Sequence, residues 1–245
     1  MLFTDSSGWV SESPEGLDRK FALNYYSRMR FVSNLLPLLR TSTTTAPSFS
    51  RVLSILSAGS ERPINLNDLD LKSSFSRQKC ANHSIVMQDF MMEEFASRDP
   101  AISFIHAFPG AVNTPITREL PVWLRVPIKL VTPLLNPFLT TVEETGQRQL
   151  FIATSGMYPP AKPVDGAPFS AGVAIASGQS ALRGSNGKIG SGGYIVNWNG
   201  DITGKESLLT EYRQKGVGKT VWEHTFGIFE KVEKINKNRA KTGAD

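Results

Sequence analysis

The stretch Ala101-Ile-Ser-Phe-Ile-His-Ala-Phe-Pro-Gly110 decides the fold class of this chain. It is a short, mostly apolar run that stops at a Pro-Gly pair, which is typical of a strand buried on both faces of a sheet. Two further runs, Arg51-Val-Leu-Ser-Ile-Leu56 and Tyr194-Ile-Val-Asn-Trp198, have the same character and also stop at turn-forming residues. We therefore predict three buried strands.

Segments with helical periodicity separate these strands. Residues 17–39 form the first, which should end near Pro37, and residues 76–97 and 146–155 form two more. Alternating helices and strands are typical of βαβ units, in which a parallel sheet carries helices on both faces. The predicted fold class is α/β, with part of a doubly wound, Rossmann-like parallel sheet.

Composition fits one ordinary globular domain over residues 1–245, because 40% of the residues are hydrophobic and no second core is visible. Residues 155–193 are rich in Gly, Ser, Pro and Ala and should form a loop-rich excursion. The single cysteine, Cys80, excludes an internal disulfide framework and favours a reducing compartment, so we expect a cytoplasmic protein. We interpret Cys80 as a buried hydrophobe rather than a nucleophile.

The positive charge of the chain does not indicate a nucleic-acid partner. The formal net charge is +5, but much of the excess lies in a basic tail at residues 225–245, where a solvated helix face explains it. No aromatic interleaving or recognition motif accompanies that tail, so we expect no nucleic-acid binding. The cationic residues concerned are Lys231, Lys234, Lys237, Arg239 and Lys241.

The most apolar stretch, Pro121 to Thr141, is not a membrane span. Arg125, Lys129 and four prolines interrupt it before it reaches the roughly 20 apolar residues that a spanning helix needs. A kinked lid over an apolar pocket, an interfacial segment and a buried irregular connection all fit its composition. The first ten residues also lack the pattern of a signal peptide.

Neither glycine cluster has the context of a phosphate site. Residues 184–193 should form the loop that enters the last strand, and Gly216-Val-Gly-Lys-Thr220 has Arg213 where a phosphate loop needs glycine. We interpret the second cluster as a flexible turn. Metal binding is not expected either, because only Cys80 and His83 come close in sequence, whereas a structural zinc needs about four ligands.

Four landmarks follow the order and spacing of the short-chain dehydrogenase/reductase family. They are Asn24 in the first helix, Ser57 after the first strand, Lys79 at the start of the second helix, and Pro109-Gly-Ala-Val-Asn-Thr114 after the next strand. The chain resembles that family over most of residues 15–200.

The resemblance is strongest to fungal members. Three separated blocks are similar to them, namely residues 15–30, residues 106–110 and the late Gly190-Ser-Gly-Gly-Tyr-Ile-Val-Asn-Trp198. It implies an NAD(P)-dependent oxidoreductase that acts on a carbonyl or alcohol of a small lipophilic metabolite, as fungal relatives in secondary metabolism do.

The resemblance also implies a role for each residue of the site. Ser57 would bind the substrate oxygen, Asn24 would hold a water relay, and Lys79 would hold the nicotinamide ribose. Cofactor contacts would come from Lys79, Pro109, Gly110, Val112 and Thr114. We expect Ser57, Asn24 and Lys79 to converge on one crevice at the ends of the strands.

Two departures from the family pattern stand out. The tyrosine that should act as the proton donor is replaced by Phe75, whose ring has no proton to give. The glycine-rich turn of the family and its first three strands have no counterpart, and residues 1–4 would be the remnant of the fourth strand. An N-terminally truncated fold of this kind predicts an exposed sheet edge and self-association.

Three functions remain open at this point. The first is the NAD(P)-dependent oxidoreductase, and the second is a cofactor-independent isomerase, cyclase or small-molecule binding protein that uses the remaining pocket. The third is a catalytically inactive chain that pairs with a full-length relative through its two long helices. A homo-oligomer is a further expectation.

Overall fold

A computed structural model describes residues 12–45, 50–112, 139–162 and 172–242 of the protein. The first helical region consists of α1 (Arg19–Phe21), a π-helical turn (Ala22–Tyr26) and α2 (Ser27–Thr45). The following elements are β1 (Ser50–Ile55), α3 (Arg77–Arg98), β2 (Ile102–Ala107), α4 (Val142–Thr154), β3 (Gly193–Val196), α5 (Glu206–Gln214) and α6 (Val217–Thr242).

The three strands form one parallel sheet in the order β1-β2-β3. Ser50 pairs with Ile102 at the start of β1, and Phe104 pairs with Gly193 on the other side of β2. β2 and β3 are buried along their whole length, whereas β1 is only partly buried. The α/β fold class with a partial Rossmann-like parallel sheet is therefore confirmed. The strand proposed for residues 1–4 lies outside the described residues.

The first helical region runs without a break from α1 through the π-helical turn into α2. Asp18 caps its start, since Oδ1 accepts the N–H of Phe21 at 2.9 Å. The prediction that the helix ends near Pro37 is wrong, because α2 continues to Thr45. A proline inside a helix removes one backbone N–H bond, and the contact of α2 with β1 offsets this local cost.

The larger hydrophobic core lies where α3 packs between the sheet and α6. Ser76 caps α3 by accepting the N–H of Lys79 at 3.1 Å, and most of the helix after its first turn is buried. From α6, Trp222 packs edge-on against Phe95 with ring centroids 5.1 Å apart. The hydroxyl of Tyr26 lies 2.8 Å from Nε2 of His224. α6 therefore packs against both α3 and the π-helical turn.

A smaller core lies around α4, with members from β2 and β3. Arg51 in β1 connects the sheet to this layer, because its Nη1 and Nη2 donate to the carbonyls of Ile152 and Tyr158, each at 2.7 Å. The residues of this second core are Ile105, Ala107, Ile152, Tyr158, Tyr194 and Val196.

The C-terminal part of the described chain is helical. The cluster interpreted as a flexible turn contains only one turn glycine, Gly216, with φ of +69°, and Val217 already begins α6. Basic residues of the tail lie on α6, where most of them are exposed. None of the described helices is long and apolar enough to cross a membrane. That residues 1–245 form a single domain stays a prediction.

Candidate functional site

The carboxyl ends of β1 and β2 meet at one edge of the sheet because the two strands are parallel. Leu56 extends the ladder by one residue, since its N–H donates to the carbonyl of Ala107 at 2.9 Å. Ser57 follows immediately, and Pro109 and Gly110 follow β2 at the same edge. In open α/β sheets this edge is where ligands bind.

Ser57 is half-buried at this edge. Its carbonyl accepts the N–H of Ser60 at 3.2 Å, which makes the chain turn immediately after the strand. None of the side-chain hydrogen bonds among the described residues uses the hydroxyl of Ser57. That hydroxyl therefore remains available to a ligand in the crevice.

Asn24 lies in the π-helical turn and is 2% exposed. Its Nδ2 has no hydrogen-bond partner among the described residues. A buried amide without a partner is costly, and π-helical turns inside α-helices are frequently found at functional sites. The amide is therefore suited to bind a water molecule or a ligand.

Arg28 connects the Asn24 side of the helix to the carboxyl end of β1. It lies about one turn after Asn24, and its Nη1 donates to the carbonyl of Ile55 at 2.8 Å and approaches Ser54 Oγ at 3.4 Å. Ile55 is two residues before Ser57. Burial lowers the pKa of the Arg28 guanidinium. The contact places the turn with Asn24 next to the strand end that leads to Ser57.

Phe75 and Lys79 lie at the start of α3. Since α3 connects two parallel strands, its N-terminus is at the same sheet edge as Ser57. Phe75 is half-buried against the larger core, and Lys79 is exposed. No hydrogen bond among the described residues joins the side chains of Asn24, Ser57 and Lys79, so their convergence stays a prediction.

The loop after β2 contains the residues expected to contact the cofactor. Gly110 has φ of +87°, and a Cβ built on it would lie 3.1 Å from the Cβ of Trp198. Glycine is therefore needed where this loop approaches the segment after β3. Val112 forms an isolated parallel bridge with Thr140. Thr114 lies outside the described residues.

Three buried polar side chains that the sequence did not indicate lie close to this edge of the sheet. Glu61, Asp89 and His106 are each 0% exposed, and Nδ1 of His106 lies 2.6 Å from Oδ1 of Asp89. The available signal was His106 itself, a polar residue inside an otherwise apolar strand.

Cys80 is 2% exposed, and burial raises the pKa of its thiol to about 12, in line with its interpretation as a buried hydrophobe. Within the described ranges, no three His, Cys, Asp or Glu side chains are grouped as metal ligands.

Similar proteins are all fungal. The chain is 40% identical over 233 residues to "Oxidoreductase AN1596" of Emericella nidulans, covering 93% of this chain and 66% of that protein. It is 35% identical to "Oxidoreductase andH" of Emericella variicolor, with 90% and 63% covered. It is 28% identical to "Short-chain dehydrogenase/reductase SAT2" of Stachybotrys chartarum, with 94% and 63% covered.

The chain thus spans just under two thirds of the length of these relatives. No protein-family model matches it. No solved structure matches it either. The similarity covers nearly the whole chain, and the parallel sheet is consistent with it. The chain thus resembles, over nine tenths or more of its length, fungal oxidoreductases of the short-chain dehydrogenase/reductase type.

Proposed function

We propose that the protein is an NAD(P)-dependent oxidoreductase that acts on a carbonyl or alcohol of a small lipophilic molecule. One observation carries the proposal: Asn24 has a buried amide without a partner, in a π-helical turn that Arg28 holds against the end of β1. This is the strand end that leads to the free hydroxyl of Ser57.

The roles that we propose for these residues are those that the resemblance to the family implies. Ser57 Oγ donates a hydrogen bond to the substrate oxygen, and Asn24 Nδ2 donates to a water molecule behind it. Lys79 is an exposed cation at the start of α3 and would hold the ribose hydroxyls of the cofactor. Pro109, Gly110 and Val112 line the nicotinamide side. A bound nicotinamide dinucleotide supplies the hydride.

Phe75 favours a second candidate function. With a phenyl ring in place of the phenol, proton transfer at the substrate oxygen lacks its usual donor. A small-molecule binding protein, isomerase or cyclase needs only the pocket, Ser57 and Asn24. Pairing with a full-length relative through α2 and α3 has less support, because α6 of the same chain already packs on α3.

Dinucleotide binding tests the first candidate. Titration with NADH and NADPH, followed by nicotinamide fluorescence, should show saturable binding of at least one of them. Lys79→Met should weaken that binding by about tenfold, the equivalent of one lost charged hydrogen bond. Arg77→Met is the matched control, because it removes an exposed cation from the same helical turn.

Ser57→Ala should separate binding from chemistry. The variant should keep the dinucleotide affinity and lower carbonyl turnover by about a hundredfold, since one hydrogen-bond donor to the reacting oxygen is lost. Absence of binding of either dinucleotide would overturn the first candidate and leave the binding protein or isomerase.

A further inference from the structure

Two loops at the carboxyl edge of the sheet touch each other behind Ser57. Gly59 has φ of +85°, and a Cβ on it would lie 2.7 Å from Oγ1 of Thr203, in the segment after β3. The first loop is Ser57–Glu61, and the second contains Thr203 and Lys205.

The carboxylate of Glu61 joins these two loops. Its Oε1 accepts the N–H of Gly59 at 2.7 Å, and its Oε2 accepts the N–H of Lys205 at 2.9 Å. The side chain is fully buried. Both oxygens are thus used as acceptors of backbone N–H groups, one from each loop.

A second buried carboxyl group, that of Asp89 on α3, is close enough for its charge to interact with that of Glu61, and its Oδ2 receives no hydrogen bond from any described residue. Two carboxyl groups can form a hydrogen bond only if one of them is protonated. Because both oxygens of Glu61 accept backbone N–H groups, the proton belongs on Asp89. Oδ1 of Asp89 is occupied by Nδ1 of His106, so Oδ2 carries the proton.

The charges around Asp89 agree with this assignment. Burial, then the negative charges of Glu61 and Glu93, raises the pKa of Asp89 well above its ordinary value, and the positive charge of Arg213 opposes the shift. Burial, then the positive charge of Arg28, lowers the pKa of His106. His106 is accordingly neutral and donates from Nδ1 to Asp89.

We propose that Glu61 is a positioning residue for Ser57: as a carboxylate that accepts the proton of a neutral Asp89, it fixes the Ser57–Glu61 loop against Lys205. The role of Ser57 rests on the proposed function. The contact of Glu61 with both loops, called the clamp below, does not depend on the proposed function. It can be tested without any substrate.

The first test locates the proton by comparing the pH dependence of unfolding. Asp89→Asn keeps a donor towards Glu61 and an acceptor towards His106, so it imitates the protonated aspartic acid. The folded protein holds a proton on Asp89 that the unfolded chain releases above about pH 4, so stability is lost as pH rises towards the folded pKa. Asp89→Asn has no such loss.

We compare the unfolding equilibrium constant of the natural protein with that of Asp89→Asn. Between about pH 4 and the folded pKa of Asp89, their ratio should increase about tenfold per pH unit. Glu61→Gln should destabilise at every pH, because its amide N–H groups would face a backbone N–H. A tolerated Glu61→Gln together with a destabilising, pH-independent Asp89→Asn would place the proton on Glu61 and overturn the proposal.

The second test addresses positioning. Amide hydrogen exchange of Gly59 and Lys205 should be much faster in Glu61→Gln than in the natural protein, while that of Leu56, bonded to Ala107, should be unchanged. Where Glu61→Gln does not fold, Glu61→Asp, which is one methylene too short to reach both loops, replaces it. Unchanged protection of Gly59 and Lys205 would overturn the clamp.

Turnover separates this proposal from the proposed function. If a carbonyl substrate is reduced, the Glu61 variant should keep its dinucleotide affinity and lose turnover, as a displaced Ser57 requires. If both tests succeed but neither NADH nor NADPH binds, the clamp stands and the oxidoreductase proposal fails.

Discussion

The hydroxyl of Tyr25 lies 2.5 Å from Oγ1 of Thr225 in α6, and both side chains are fully buried. The hydroxyl of Thr225 donates to the carbonyl of Val221 at 2.7 Å. Tyr25 is therefore the donor of the pair and Thr225 the acceptor. The bond attaches the C-terminal helix to the π-helical turn at the residue next to Asn24.

Thr225→Val should destabilise the protein more than Tyr25→Phe. The first change leaves the phenol O–H of Tyr25 buried without an acceptor, which costs about 1–3 kcal/mol. The second leaves the hydroxyl of Thr225 with its own acceptor and costs about 0.5–1.5 kcal/mol. Urea unfolding of both variants and of the double variant measures these differences. The reverse order would show that Thr225 is the donor.

His106 should contribute a loss of stability in acid, which opposes the contribution of Asp89 over the same pH range. Burial and the positive charge of Arg28 lower its pKa below the ordinary 6.5. Below that pH the unfolded chain binds a proton that the folded protein does not, so stability is lost as pH falls, by about 1.4 kcal/mol per unit. His106→Asn keeps a donor towards Asp89 and cannot be protonated. Its stability, measured by urea unfolding at constant ionic strength, should approach that of the natural protein as pH falls from 6.5. Parallel pH curves would contradict the prediction.

Arg51→Lys should lower the free energy of unfolding by about 1–3 kcal/mol, although the charge is retained. The guanidinium donates to the carbonyls of Ile152 and Tyr158 with two different nitrogens, which a single ammonium group cannot do at both distances. Arg77→Lys, at an exposed position of α3, is the control and should change stability by less than about 0.5 kcal/mol. Equal effects of the two substitutions would show that the bridge from β1 to α4 adds no stability.

The sequence predicted the strands better than the contacts between them. A strand of a parallel sheet is visible as a local apolar run even where it is only partly buried, as β1 is, so β1, β2 and β3 could be located to within two residues at each end. The continuation of α2 past Pro37 could not be predicted, because packing against β1 outweighs the local effect of the proline.

The buried polar contacts were equally invisible in the sequence. Glu61, Asp89 and His106 come from a loop, a helix and a strand, and only the folded chain brings them together. The same holds for the contact of Arg28 with Ile55, which places Asn24 near the end of β1. The resemblance to the family could be seen in the sequence, because it depends on the order and spacing of separated blocks of residues, which are properties of the sequence alone.

A groove of about 550 Å³ lies on the outer side of β1, between this strand and α2. Among the described strands, β1 pairs only with β2, and we predict that its other edge pairs with a second copy of the chain. Phe31 on the rim of the groove is 69% exposed and Leu35 48%. We expect two copies to associate through this edge, with Phe31 packing into the groove of the partner.

Sedimentation velocity over the micromolar range should accordingly show a concentration-dependent increase in mass. Phe31→Glu should weaken the association, because it places a charge in the apolar contact. Val142→Glu is the control: Val142 is 62% exposed on α4 and does not line the groove. A natural protein that stays monomeric throughout, or equal effects of the two substitutions, would show that the groove beside β1 does not bind a second copy.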